Sequence, residues 1–96
     1  MFARITTYKL KPGTIEAAED TMERLKPQIL ALAGLKHFIN AVDADGNGYV
    51  ISIVESEEIS NANQAKVAEL WQSFGEFLAE PPKPGGYRVI MNESAG

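Results

Sequence analysis

LKHFINAVDADGNGYVISIVES, residues 35–56, decides the fold. It reads as two short runs of β-forming residues with DADGNG between them. Gly, Asp and Asn tolerate the unusual backbone angles of a tight reversal, so the segment is a β-hairpin. Alternation in the first run puts Leu35, His37, Ile39 and Ala41 on one face and Lys36, Phe38, Asn40 and Val42 on the other. In the second, residues 49–55, Tyr49, Ile51 and Ile53 oppose Val50, Ser52 and Val54. Both strands are apolar on both faces, so both faces need a cover.

Working outward, residues 2–10 form a further strand, with Phe2, Arg4, Thr6, Tyr8 and Leu10 on one face. Lys11-Pro12-Gly13 ends it, and Thr14 is placed to cap a helix. Ile15, Ala18, Met22, Leu25, Ile29 and Leu32 recur at three- and four-residue spacing as one apolar stripe. Pro27 interrupts the hydrogen-bond ladder, so one bent helix is expected, closed by Gly34. After the hairpin, Ser56 precedes Glu57 and Glu58 as a helix start. This second helix is expected to run to about residue 79, interrupted near residues 60–63, with Val67, Leu70, Trp71, Phe74, Phe77 and Leu78 as its apolar face. Residues 81–86, PPKPGG, read as a stiff connector. Residues 87–91 read as the last strand, and residues 92–96 as a frayed tail.

The order is β-α-β-β-α-β. Two right-handed β-α-β units close a four-stranded antiparallel sheet of order 4-1-3-2 with two helices on one face, the ferredoxin-like α+β arrangement. Residues 1–96 make a single domain. One sheet face meets the helices, and the chain has no spare element for the other. A homodimer partner would cover it.

Composition narrows the classes. The 96 residues contain no cysteine, which excludes disulfides, iron–sulfur clusters and thiolate nucleophiles and suits a reducing compartment. The net charge is −4 and the basic residues are scattered singly, so no nucleic-acid partner is expected. No apolar run approaches a membrane span, and the N-terminus does not resemble a signal peptide. A cytoplasmic location is expected.

The turn carries one tempting motif. Asp43, Asp45, Asn47 and Gly48 occupy positions 1, 3, 5 and 6 of an EF-hand loop. Position 12, which needs a bidentate carboxylate, is Val54, and the flanks are strands. The reading is a structural turn with no metal.

Few residues could carry chemistry. His37, the only histidine, could accept a proton near neutral pH. Without a His, Cys or carboxylate at ligand spacing it reads first as a structural or surface residue and second as a pocket residue. Arg4, Thr6 and Tyr8 form a polar group beneath the helix layer and could hydrogen-bond a ligand. Arg4 could also simply reach a carboxylate or solvent. Trp71, beside Phe74, either lines an apolar pocket or fills the core. No nucleophile elbow or glycine-rich phosphate loop is present, so hydrolysis and phosphoryl transfer are not expected.

The opening ARITTYKLKPG, the AGLKHF entry to the hairpin, DADGNGYVISIVESEE and the closing PPKPGGYRVI together resemble the antibiotic biosynthesis monooxygenase-like family of dimeric α+β barrels. The resemblance spans nearly the whole chain. It implies a homodimer whose two sheets pack as a dimeric α/β barrel, with a pocket between sheet and helices. It also implies oxidation of a small aromatic or quinol substrate by molecular oxygen without cofactors. In that reading His37, Arg4 and Thr6 are the catalytic candidates, and Tyr8, Trp71 and Phe74 line the substrate pocket. Haem-degrading relatives use a strand-one Asn and a Trp and His of the second helix. Here the matching positions hold Thr6, Asn63 and Ser73, so no haem is expected. The alternative is a non-catalytic small-molecule-binding or stress-related dimer of the same fold.

Overall fold

The computed structural model describes residues 1–96. In chain order the elements are β1 (Phe2–Lys9), α1 (Ile15–Leu30), β2 (Leu35–Val42), β3 (Asn47–Val54), α2 (Glu57–Ala62), α3 (Gln64–Gln72), a 3-10 turn (Gly75–Phe77) and β4 (Lys83–Arg88). All strand pairs are antiparallel, in the order β2-β3-β1-β4, so the expected ferredoxin-like topology is present. The core lies between the sheet and the helices, where Leu10, Leu25, Ile29, Val50 and Phe74 are buried together. No helix is long and apolar enough to cross a membrane.

The hairpin forms as read. Asp43 closes it: its N–H donates to the Asn47 carbonyl at 3.0 Å, and its own carbonyl accepts from Gly46 N–H at 3.1 Å. Gly46 holds φ +87, which L side chains rarely adopt. The Asp43 carboxylate is bonded within the turn. It accepts from the backbone N–H groups of Asp45 at 2.9 Å and Asn47 at 3.0 Å, and from the Asn47 side-chain amide.

The backbone bond from Asn47 leads these effects in holding the exposed Asp43 carboxyl below its ordinary value. A lowered folded-state value means the stabilisation is present above about pH 4 and is lost as pH falls through the lower value. Asp43→Asn keeps an acceptor but cannot ionise. Urea midpoints followed from about pH 5 down to pH 2 should fall less steeply for the variant than for the parent chain. Parallel acid limbs would remove Asp43 from the account.

Several boundaries differ from the sequence reading. One is not among them: α1 is a single helix that continues through Pro27, as expected. Thr14 stands at its start, but the Thr14 hydroxyl donates backward to the Lys11 carbonyl at 2.7 Å and caps nothing. The helix ends at Leu30, with Ala31 at the cap. Gly34, with φ +68, serves the turn into β2 instead, where Ile59 packs against it and a Cβ would lie 2.9 Å from Ile59 Cγ2.

The second helix is broken into α2 and α3 and ends at Gln72 rather than near residue 79. Ser56 caps α2 as expected, its hydroxyl accepting from Ile59 N–H at 3.2 Å. At the break, buried Asn63 donates its side-chain amide to the Ala33 carbonyl at 2.9 Å, tying the helix junction to the turn between α1 and β2.

The largest correction is β4. Residues 83–86 of the proline-rich segment read as a connector belong to the strand, which ends at Arg88, so residues 89–96 lie outside it. Lys83 pairs with Thr7, Pro84 with Thr6 and Arg88 with Phe2. β4 is an edge strand, hydrogen-bonded on one side only, where the missing proline N–H is tolerated. Its glycines make room for rings: a Cβ on Gly86 would sit 2.5 Å from the Phe2 ring.

The helix-free face is apolar. Ile5, Ile51 and Ile39 pair across β1, β3 and β2, and Ala3 lies between Ile53 and Tyr87. Ile39, Tyr49 and Tyr87 are each 54% exposed, and no large side chain anywhere in the chain is completely enclosed.

Candidate functional site

The site is built on β1. Alternation places Arg4, Thr6 and Tyr8 under the helices, as read from the sequence, and all three line a cavity of about 340 Å³ between sheet and helices. Trp71 and Phe74 form part of its wall. Fifteen of its twenty-one lining residues are hydrophobic, and the volume is within the range of pockets that hold small organic ligands.

Trp71 stands beside the space rather than plugging it. Its ring is tilted 59° against Tyr8 at 5.7 Å between centroids, and it meets Phe74 edge-on at 6.1 Å. Five of the six candidate residues are therefore gathered at one place.

His37 is the exception. It pairs with Ile53, next to Ala3, on the helix-free face and is exposed. A β-bulge between Leu35 and His37 explains part of this. It moves Leu35 to the helix side, where it joins Phe38 in packing against the core, and leaves His37 facing the other way. His37 does not reach the cavity.

Tyr8 fits because of a glycine. Gly48 lies opposite it on β3, and a Cβ there would fall 2.5 Å from the Tyr8 hydroxyl oxygen. The sequence suggests Gly48 for the turn, but its role is to let the ring cross the strand. The hydroxyl then donates to Asn40 Oδ1 at 2.6 Å. Burial raises the phenol above its ordinary value, and the Asn40 bond only partly offsets this. Tyr8 thus keeps its proton at neutral pH and acts as a donor, not a base. Gly48→Ala is expected to displace the ring, break the Asn40 bond and cost about 1–3 kcal/mol as an overpacking change. Chemical denaturation checks this; an unchanged midpoint would show that the ring has room to move.

Arg4 is held by neutral partners. Its Nε donates to Ser60 Oγ at 3.0 Å and an Nη to Asn61 Oδ1 at 3.5 Å. The three ion pairs of the chain, Lys26–Glu23, Lys36–Glu55 and Lys83–Glu80, lie at the surface and leave Arg4 out. Glu19 and Glu23 of α1 are the carboxylates that line the cavity, and both are exposed. No group of three or more His, Cys, Asp or Glu side chains is gathered anywhere as a metal site.

Asn40, Ser60 and Asn61 were not singled out from the sequence. Strand alternation puts Asn40 on the helix side with Phe38 and Val42. Ser60 and Asn61 reach Arg4 across more than fifty residues, for which the sequence carries no local signal.

No family model and no curated protein sequence matches the chain. Solved structures do. A protein of unknown function from Nitrosomonas europaea superposes with a TM-score of 0.82 at 18% identity, covering 99% of this chain and 94% of that one. A second Nitrosomonas europaea structure, named "putative antibiotic biosynthesis monooxygenase", gives 0.79 at 18% identity, covering 95% and 100%. A Bordetella bronchiseptica structure of the same name gives 0.78 at 18% identity, covering 94% and 97%. The chain therefore has the fold of the structures that bear the antibiotic biosynthesis monooxygenase name, end to end.

Proposed function

We propose that the protein is a homodimeric monooxygenase/oxidase-like enzyme that binds a small aromatic or quinol substrate in the cavity and oxidises it with molecular oxygen. The single observation that carries this is the cavity itself: an apolar space walled by Trp71 and Phe74 and floored by Arg4, Thr6 and Tyr8. Tyr8 and Trp71 pack against a flat ring. Arg4 and Thr6 face a ring oxygen and favour its anionic form, because a guanidinium and a hydroxyl in a partly dry site stabilise a phenolate. Glu19 and Glu23 are the groups at hand to take the proton. A quinol that loses two protons and two electrons becomes the quinone, and oxygen leaves as hydrogen peroxide. The absence of cofactors in this scheme follows the resemblance of the sequence.

The homodimer belongs to the same reading. A compact monomer of 10.5 kDa is expected to expose about 5,400 Å². This chain exposes 6439 Å². The excess comes partly from the extended C-terminal residues, and it is similar to the roughly 800 Å² that one partner buries in a standard interface. A partner sheet packed on Ile5, Ile51, Ile39, Tyr49 and Tyr87 would cover the open face. The lack of cysteine suits a cytoplasmic setting.

A second reading is favoured by one observation. His37, the proton acceptor expected from the sequence, lies off the cavity, Tyr8 holds its proton, and the carboxylates of the lining, Glu19 and Glu23, are exposed at its edge. This suits a non-catalytic binding protein of the same fold. Oxygen consumption across a panel of quinols and polyphenols separates the two. The enzyme reading expects uptake above background that Trp71→Ala loses. Tight binding with background uptake would leave the binding-protein reading.

A further inference from the structure

The aromatic cavity has a neighbour. A second cavity of about 440 Å³ adjoins it. The two share a wall that includes Arg4, Thr6, Ser52, Val67 and Trp71. Their characters differ: seven of the sixteen residues lining the second are hydrophobic, against fifteen of twenty-one in the first. Polar residues of the α2–α3 junction, Ser60, Asn63 and Gln64, line the second together with Pro82 and Pro84.

Arg4 is the only charged residue on the shared wall. Ser52, a small neighbour, faces it across β3, while the Phe2 ring covers Gly86 on the β4 side, and Arg4 itself is half-buried. Its two protein bonds go to neutral oxygens, and the second is at the limit of hydrogen-bond length. A guanidinium has five donors in a fixed fork that matches a carboxylate. Most of this fork is unused.

A phenol does not answer this arrangement on its own. Phenols are neutral at pH 7, so Arg4 would stay unpaired while such a ligand bound and would meet an anion only during reaction. A carboxylate is charged from the start and pairs with the fork in both planar positions.

Resting on the aromatic-substrate reading above, we infer that the ligand is an aromatic carboxylate. Its ring lies in the apolar cavity against Trp71 and Tyr8. Its carboxylate is held by two free N–H groups of Arg4 at the border, which leaves the last N–H and the Thr6 hydroxyl for a ring oxygen, and any further substituent extends into the polar cavity.

Calorimetry with two matched probes tests this: anthracene-2-carboxylate and the neutral anthracene-2-carboxamide. The parent chain should bind the acid about ten- to a hundredfold more tightly than the amide, the contribution of charge-assisted hydrogen bonds. Arg4→Gln should bring that ratio close to one, and Arg4→Lys, which keeps the charge without the fork, should give an intermediate ratio. Circular dichroism of each variant confirms that the comparison is between folded chains. If Arg4→Gln does not fold, the Arg4→Lys ratio decides: it must drop below that of the parent chain. Equal affinities for acid and amide in the parent chain would overturn the carboxylate assignment while leaving the aromatic cavity standing. Failure of both probes to bind would overturn the two together.

Discussion

Ile51→Glu should turn the protein into a monomer and strip it of much of its stability. Ile51 is central on the helix-free face, paired with Ile5 on one side and Ile39 on the other. In the proposed dimer this row meets a second copy of itself, so each partner would bury a glutamate against an apolar surface. Removing a carboxylate from water without a partner costs several kcal/mol per ion, and each ~4 kcal/mol lowers the dimer affinity about a thousandfold. Light scattering should change from twice the 10.5 kDa chain mass to the mass of one chain. Unfolding should begin at lower denaturant, because the domain encloses little apolar surface on its own. If the chain is instead monomeric, Ile51 is only half-buried, the substitution costs about 1 kcal/mol through lost cross-strand packing, and the mass in solution does not change. The two outcomes are well separated.

The second large effect is expected from Trp71→Ala. Trp71 touches Tyr8 and Phe74 and lines both cavities, so truncation would merge them into one open trough. A fully enclosed Trp costs roughly 3–5 kcal/mol on such a change. Trp71 is only partly buried, so about 2 kcal/mol is expected, enough to lower the denaturation midpoint without unfolding the chain. The functional loss should be larger. Stacking on an aromatic wall supplies much of the affinity for a flat ring, and affinity for anthracene-2-carboxylate should fall at least about tenfold, or by ~1.4 kcal/mol. Trp71→Phe restores a ring and should recover part of that loss. A variant that loses stability but binds as tightly as before would make Trp71 a core residue, not a pocket wall.

Much of this fold is written locally. DADGNG allows little except a reversal between two β-forming runs, and the stripe from Ile15 to Leu32 predicts a helix whatever the rest of the chain does. Strand alternation was enough to put Arg4, Thr6 and Tyr8 together under the helices. The failures have a common physical source: they depend on partners distant in sequence. Pro84 argues against a strand until β4 is seen at the sheet edge, where one side of the backbone has no neighbour to satisfy. The bulge that separates Leu35 from His37 reflects pairing with β3. Gly48 looks like a turn residue until Tyr8 is placed across it. The same holds for Ser60 and Asn61, whose contacts with Arg4 exist only once α2 is laid over β1. His37 drew attention for its chemistry alone, and strand geometry placed it elsewhere.

Trp71 is the only tryptophan in the chain and stands in the cavity wall, so its intrinsic emission reports occupancy of the proposed site directly. Titration with a quinol or with anthracene-2-carboxylate, corrected for absorption by the ligand, should quench that emission to a saturable limit. Saturation should be lost when Arg4, Thr6 and Tyr8 are replaced together by apolar residues in a chain that remains folded. Emission that stays flat through millimolar concentrations of a panel of flat aromatic acids and quinols would contradict the central claim that this space receives an aromatic ligand.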